Sequence, residues 1–126
     1  MEKPTFAPML GIKSGTYEID FYKNVFGAVE VRRFSNDDGS IHVAELSING
    51  SLFRFHEENR HIKSPWDFGN TTVNIHLMVN HVDAVIARAI EFGATDVSPA
   101  ADYDYGYRQG EFTDPLGHRW VIEKVI

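Results

Sequence analysis

The chain has 126 residues, of which 43% are hydrophobic and 13% aromatic, and this is enough apolar material for the core of one compact domain. Its formal net charge is −6 and basic residues form no run, which argues against nucleic acids and anionic membranes as partners. The absence of cysteine excludes disulfides, thiolate nucleophiles and thiolate metal sites. The sequence shows no apolar leader and no membrane-spanning run, so we expect a soluble cytoplasmic protein whose ligand is a cationic or neutral small molecule.

An internal repeat organises the chain. Residues 26–31 begin with Phe-Gly-Ala, and residues 92–97 begin with the same three residues sixty-six positions later. A second pair of landmarks, Asn49-Gly50 and Leu116-Gly117, precedes apolar runs at a spacing of sixty-seven. Two matched landmarks predict that one half of the chain duplicates the other.

The first half, residues 4–57, predicts a strand, a helix and three strands. Residues 5–12 suit an edge strand because Pro8 interrupts them. Apolar residues at helical spacing predict a helix over 17–26, with Ser14 or Thr16 as its N-cap and Gly27 as its C-terminal cap. Strands are then predicted over 29–34, 41–48 and 52–56, the last two joined by a type I′ turn at Asn49-Gly50.

A polar segment without periodicity, residues 58–70, is predicted to link the halves, and residues 71–126 repeat the same order of elements. A strand is predicted over 71–79, a helix over 82–92 and a short strand over 95–97. A loop over 99–106 and two strands over 108–113 and 118–125 complete the second half. We therefore expect one α+β domain of two βαβββ modules, forming a curved mixed sheet around a cup with both helices on the convex face.

Strand alternation then divides the side chains between the core and the cup. The bulky core-facing set is Phe53, Phe55, Val73, Ile75, Leu77, Val79, Trp120 and Ile122. The predicted cup lining is Arg54, His56, Asn74, His76, Val121 and Glu123. Two histidines and one carboxylate, His56, His76 and Glu123, could hold iron, manganese, nickel or zinc. Alternatively, they line a wet groove or hydrogen-bond one another.

Further candidates lie outside this set. Tyr105, Tyr107 and Arg108 belong to a segment rich in tyrosine and aspartate that could bind a cationic or planar ligand, or simply pack against itself. Trp66, in the polar linker, could cover the cup, contact a second subunit or anchor the loop. The other four histidines, which have no matched partners, are expected in surface, linker or turn positions: His42, His61, His81 and His118.

Four motifs carry a resemblance to a known family. They are Asp20-Phe21-Tyr22-Lys23-Asn24-Val25-Phe26-Gly27, Asn80-His81-Val82-Asp83, Tyr105-Gly106-Tyr107-Arg108 and Asp114-Pro115-Leu116-Gly117-His118-Arg119-Trp120. Through them almost the whole chain resembles the vicinal oxygen chelate superfamily of glyoxalases, bleomycin-resistance proteins and extradiol dioxygenases, in its small bleomycin-resistance-like branch. The resemblance implies paired βαβββ modules and a homodimer.

The resemblance also implies where a metal would bind. Metalloenzymes of the superfamily carry ligands on the first and last strands of each module, and those positions fall here on Ala7, Arg54, Asn74 and Val121, none of which is a good ligand. His56, His76 and Glu123 lie two residues further along three of these strands. Either the metal site has moved by one pleat, or the protein binds its ligand without metal.

Three hypotheses follow. The favoured one is a small-molecule binding protein without the usual metal site, and the second is a metal-dependent lyase, isomerase or dioxygenase that uses His56, His76 and Glu123, with Arg54 anchoring an anion. A purely structural module is the third.

Overall fold

The computed structural model describes residues 2–126, which form two βαβββ modules and a linker. The first module contains β1 (Met9–Ile12), α1 (Asp20–Phe26), β2 (Val29–Ser35), β3 (Ile41–Ile48) and β4 (Ser51–Glu57). The linker contains one short helix, α2 (Pro65–Phe68). The second module contains β5 (Asn74–Met78), α3 (Val82–Glu91), β6 (Thr95–Tyr103), β7 (Tyr107–Thr113) and β8 (Arg119–Val125). The expected α+β class and the two βαβββ modules are confirmed.

Each module forms its own four-stranded sheet. The strand orders are β1-β4-β3-β2 and β5-β8-β7-β6, so the two sheets have the same topology. In both, the first strand of the module pairs in parallel with the last, and the remaining neighbours are antiparallel. The eight strands thus form two sheets rather than one continuous sheet. Within residues 2–126, no helix combines the length and the apolarity that crossing a bilayer requires.

The helix ends follow the repeat, whereas the start of α1 departs from expectation. Gly27 and Gly93 have φ of +69° and +106°, a conformation that glycine adopts without the steric cost of a Cβ. Neither Ser14 nor Thr16 caps α1, which begins at Asp20. The carboxylate of Glu18 accepts the backbone N–H of Asp20 instead, at 2.9 Å.

Two segments expected to be irregular are partly regular. Strand β6 extends to Tyr103 through Pro99, which is tolerated because β6 is an edge strand and one of its sides needs no ladder hydrogen bonds. In the linker, the Ser64 hydroxyl accepts the backbone N–H of Trp66 and Pro65 occupies the first helical position, so α2 has both signals of a helix start.

One hydrophobic core joins the modules. The aromatic face of α1 packs on residues of both sheets, with the Phe26 and Trp120 ring centroids 4.6 Å apart and those of Tyr22 and Phe55 4.8 Å apart. Phe53 of β4 also approaches Trp120 of β8, at 6.0 Å between centroids. The helix-bearing sides of the two sheets therefore face one another across this core.

A buried carboxylate fastens the modules together. Asp114 is fully buried, and its Oδ2 accepts the Tyr22 hydroxyl at 2.7 Å and the Trp120 indole N–H at 2.8 Å. Its Oδ1 accepts the backbone N–H groups of Leu116 and His118. Burial raises the pKa of Asp114, although the charge of His118 and the donors oppose this shift. The Asp-Pro-Leu-Gly turn is thus the point at which the second module holds α1.

His118 strengthens the same junction. It was expected in a surface or turn position, but its side chain is buried. Its Nε2 donates to the backbone oxygen of Gly11 in β1, at 2.7 Å. The ring therefore links the β7–β8 turn to the first strand of the other module.

Candidate functional site

The face of each sheet that points away from the shared core carries the predicted cup residues. Phe53 and Phe55 are buried on the core side of β4, so the alternating side chains Arg54 and His56 point to the opposite side. We call this side of the first sheet the first outer face. The second outer face is the corresponding side of the second sheet, which carries Asn74, His76, Val121 and Glu123, because Trp120 and Ile122 are buried in the core.

Within one chain, the two modules meet through the core sides of their sheets. Phe53 contacts Trp120, so the core sides of β4 and β8 meet and their outer sides point apart. Among the described residues, no hydrogen bond joins Arg54 or His56 to His76 or Glu123. The modules of one chain pack through their helix-bearing sides, and their two sheets are not closed into a barrel.

A chain of four hydrogen-bonded side chains occupies the second outer face. His76 Nδ1 lies 3.1 Å from Glu123 Oε2, and Gln109 Nε2 donates to Glu123 Oε1 at 2.6 Å. The Tyr105 hydroxyl donates to Gln109 Oε1. Glu123 is only 7% exposed, whereas the His76 side chain is 49% exposed. A buried carboxylate therefore fixes one nitrogen of an accessible imidazole.

Gln109 is a member that the sequence analysis missed. It lies directly opposite Glu123 in the β7–β8 register. Extending that antiparallel pairing back from the Asp-Pro-Leu-Gly turn would have found it, since opposite residues on one face are close neighbours.

Three tyrosines form a wall beside these four hydrogen-bonded side chains. The rings of Tyr103 and Tyr105 are stacked with centroids 5.5 Å apart, and Tyr107 lies 5.9 Å from Tyr105. Desolvation raises the pKa of the Tyr105 phenol, with smaller contributions from Tyr103 and the Glu123 carboxylate. The wall gives the second outer face flat aromatic surface next to a negative charge.

Arg108 does not belong to this face. Its guanidinium pairs with Asp83 in the first turn of α3, at 2.8 Å and 2.9 Å, and with Asp102 at 2.9 Å. The hydrogen bond from Arg108 lowers the pKa of Asp83. Tyr107 and Gln109 flank Arg108 in β7 and point to the other side of the sheet. Strand alternation therefore explains why Arg108, predicted to line the cup, does not lie on this face.

A cavity of about 400 Å³ extends the second outer face towards the linker. It is lined by Pro65, Trp66, Gly69, Asn70, Thr71, Asn74, Asp96, Thr113, Gly117 and Arg119. Asn74 and Arg119 are register partners in β5 and β8. Trp66 is half exposed, and its indole N–H donates to the backbone oxygen of Pro115 at 2.9 Å. This contact agrees with Trp66 as a loop anchor that also forms a wall of the cavity.

The first outer face carries a different set of charges. Arg32 and Arg54 both bond the carboxylate of Glu45, each through Nε at 2.7 Å. His56 Nδ1 donates to the backbone oxygen of Glu57 at 2.6 Å, and its ring lies 5.0 Å from that of His42. The hydrogen bond from His42 lowers the pKa of Glu57.

The proposed metal ligands do not fit a metal ion within one chain. His76 and Glu123 bond each other, and His56 lies on the first outer face. In the part of the chain that the structure describes, no three histidine, aspartate or glutamate side chains are arranged to hold a metal ion.

Comparison with known proteins places the chain in a family. The profile of the Glyoxalase/Bleomycin resistance protein/Dioxygenase superfamily matches residues 12–122. The uncharacterized protein Rv0887c of Mycobacterium tuberculosis is 37% identical over 129 residues, which cover 98% of this chain and 76% of that protein.

Two solved structures share the fold. TioX from Micromonospora sp. ML1 is 24% identical with a TM-score of 0.71, covering 98% of this chain and 97% of TioX. The fosfomycin resistance protein FosX from Listeria monocytogenes is 19% identical with a TM-score of 0.73, covering 100% of this chain and 96% of FosX. FosX is also known in complex with Mn(II) and 1S,2S-dihydroxypropylphosphonic acid. The family profile, which matches most of the sequence, establishes that this chain belongs to the Glyoxalase/Bleomycin resistance protein/Dioxygenase superfamily.

Proposed function

We propose that this protein binds a small organic molecule on the second outer face, and that the first outer face of a second copy closes the cup. The hydrogen-bond chain from His76 through Glu123 and Gln109 to Tyr105 carries this proposal. A buried carboxylate is costly unless hydrogen bonds satisfy it, and here it organises polar groups that remain open to the surface.

The surroundings of these four hydrogen-bonded side chains support a ligand site. The tyrosine wall offers aromatic contact area, and the adjoining cavity of about 400 Å³ is within the usual range for small-molecule pockets. Asn74, which is exposed on the same face, would contribute a polar contact, whereas Val121 is largely covered at 5% exposure. His76 would present its Nε2 to the ligand, because Nδ1 is held by Glu123.

Charge complementarity supports a homodimer. The first outer face carries Arg32 and Arg54 against one carboxylate, whereas the second carries Glu111 and Glu123 against Arg119. Apposing the first outer face of one copy with the second outer face of another would bring opposite charges together. Light scattering coupled to size-exclusion chromatography at micromolar concentration is expected to give twice the mass of one chain. A monomer would remove the second copy from the proposal.

A fragment screen tests the binding site itself. We expect hits from a small-fragment library to shift the backbone amide resonances of Tyr105, Gln109 and Glu123 in two-dimensional NMR spectra. Glu123→Gln is expected to weaken these hits, whereas the same change in the exposed Glu91→Gln, on α3, is expected to leave them intact. Hits that map elsewhere, or that bind Glu123→Gln as well as the parent, would contradict the proposal.

The metal-dependent enzyme is the second candidate, supported by the adjacency of His76 and Glu123. It would need a further ligand from outside this pair, such as His56 of another copy. Elemental analysis of untagged protein, with and without added manganese, iron, nickel or zinc, separates the candidates. Near-stoichiometric metal that His76→Ala abolishes and His61→Ala retains would favour the enzyme. Protein that takes up none of these metals would exclude this metal site.

A further inference from the structure

A row of three charged side chains crosses the first outer face. Arg32 lies opposite Glu45 in the β2–β3 register, and Glu45 lies opposite Arg54 in the β3–β4 register. The two oxygens of Glu45 are shared between the arginines, with Oε1 at 2.7 Å from Arg32 Nε and Oε2 at 2.7 Å from Arg54 Nε. The Glu45 carboxylate thus orients two guanidinium groups, one at each of its oxygens.

Most hydrogen-bond donors of the two arginines are unused. A guanidinium group has five N–H donors, and among residues 2–126 the contacts of Arg32 and Arg54 involve only Nε. The Glu45 side chain is 12% exposed, whereas those of Arg54 and Arg32 are 37% and 62% exposed. The carboxylate is therefore covered, while the outer edges of both guanidinium groups remain accessible to a ligand.

The fold does not require these arginines, because the second module does without them. In the matching row of the second sheet, Glu111 lies between Ser98 and Val121. The central glutamate is thus present in both modules, whereas serine and valine replace the two arginines. Glu111 receives its hydrogen bond from Arg119 instead. The paired arginines are a feature of the first outer face and not of βαβββ architecture.

The row makes this face locally positive and partly apolar. Two arginines against one glutamate leave one positive charge, although the whole chain carries −6. Met9 lies opposite Arg54 in β1, and Phe34 lies in the next row beyond Arg32; these side chains are 45% and 55% exposed. Apolar surface therefore borders the arginines on both sides.

We propose that Arg32 and Arg54 bind the carboxylate or phosphate group of a small organic anion, whose apolar part lies over Met9 or Phe34. Guanidinium groups bind such oxygens through pairs of parallel N–H donors, and both arginines retain such pairs. The proposal deepens the ligand-binding function proposed above, since it names the ligand class for the first outer face. The net charge of the chain suggested a cationic or neutral ligand, whereas this proposal names an anion.

Titration with phenyl phosphate tests this site. Phenyl phosphate is expected to shift the side-chain Nε–H resonances of Arg32 and Arg54, and to bind more tightly than inorganic phosphate because of its ring. Arg32→Gln and Arg54→Gln are each expected to weaken binding by about tenfold or more, the loss typical of a charge-assisted hydrogen-bonded contact. Arg33→Gln is the matched control, because Arg33 bonds Glu30 and the backbone oxygen of Tyr17 instead of Glu45. Thermal melts confirm that each variant is folded.

The outcomes separate this inference from the function proposed above. Absence of shifts at up to about 10 mM phenyl phosphate, where even a weak site is occupied, would overturn it. Equal affinity of the parent, Arg32→Gln and Arg54→Gln would also overturn it. If fragments bind at Tyr105 and Gln109 but phenyl phosphate does not bind, only this inference fails. If phenyl phosphate binds the two arginines while the second outer face binds nothing, the inference stands and the function proposed above fails.

Discussion

Removing the hydroxyl group of Tyr22 tests how much one hydrogen bond contributes to the junction between the modules. This hydroxyl donates to Asp114 Oδ2 at 2.7 Å, and the tyrosine is fully buried among residues of both modules. Tyr22→Phe keeps the ring and its aromatic contacts, and takes away one of the four donors that surround the carboxylate. The variant therefore isolates one bond of the junction between the modules.

The expected cost follows from the charge and burial of the acceptor. A hydrogen bond to a charged group contributes about 1.5–3 kcal/mol, and three donors remain to Asp114, so we expect Tyr22→Phe to lower the free energy of unfolding by about 2 kcal/mol. Urea denaturation followed by tryptophan fluorescence measures this difference. Tyr17→Phe is the control, because Tyr17 is exposed and its hydroxyl lies 3.4 Å from Asp38.

The reasoning would be refuted if Tyr22→Phe were as stable as Tyr17→Phe. A double-mutant cycle with Asp114→Asn gives a second check. Asparagine has one acceptor oxygen in place of two, so its NH2 group must face either the Tyr22 and Trp120 donors or the backbone N–H groups of Leu116 and His118. Asp114→Asn is therefore expected to destabilise more than Tyr22→Phe. The two changes should also be clearly non-additive, because both alter the hydrogen bond between the side chains of residues 22 and 114.

Three further predictions concern pH, packing and the misplaced arginine. Burial, followed by the charge of Asp114, raises the pKa of Tyr22 well above its usual value, so an unfolded chain loses this proton at a pH where the folded one keeps it. The stability advantage of the parent over Tyr22→Phe should therefore shrink as pH rises above about 10, by up to about 1.4 kcal/mol per pH unit in urea titrations, and stay constant between about pH 7 and 9. Gly110→Ala would place a Cβ 2.2 Å from Ile86 Cδ1, so we expect the free energy of unfolding in urea to fall by about 1–3 kcal/mol. Adding Ile86→Val should restore part of this loss. If it restores nothing, the backbone of Ala100 is the obstacle. Arg108→Ala should leave fragment binding in NMR titrations unchanged. It should also destabilise the protein less than Tyr22→Phe, since the ion pair of Arg108 with Asp83 is at the surface. Weakened fragment binding would show that Arg108 contributes to the ligand site.

Local chemistry made much of the fold predictable. The repeated Phe-Gly pairs gave the ends of the modules' helices within about one residue, because a helix that meets a glycine at positive φ has few ways to continue. Strict alternation in β4 and β8 predicted the burial of Phe53, Phe55 and Trp120. The start of α1 was missed, since a carboxylate two residues away satisfied the N–H group that a hydroxyl was expected to cap.

The candidate site was only partly predictable. The pairing of His76 with Glu123 follows from strand alternation, because both residues lie on the same face of adjacent strands. The contribution of Arg32 was hidden, because a bulge between Glu30 and Arg32 shifts the register of β2. A sequence does not show where such a bulge lies, and one added residue moves every following side chain to the other face.

The sequence by itself determined the two βαβββ modules, the faces of their strands and the membership of a superfamily, because these depend on turn residues and on the spacing of apolar side chains. Only the tertiary structure decided how the modules meet. The contact of Tyr22 with Asp114 and of Phe53 with Trp120 directs the helix-bearing sides of the sheets towards each other. The outer faces therefore point apart, and no periodicity within either module could reveal this, because it depends on contacts between residues far apart in the chain.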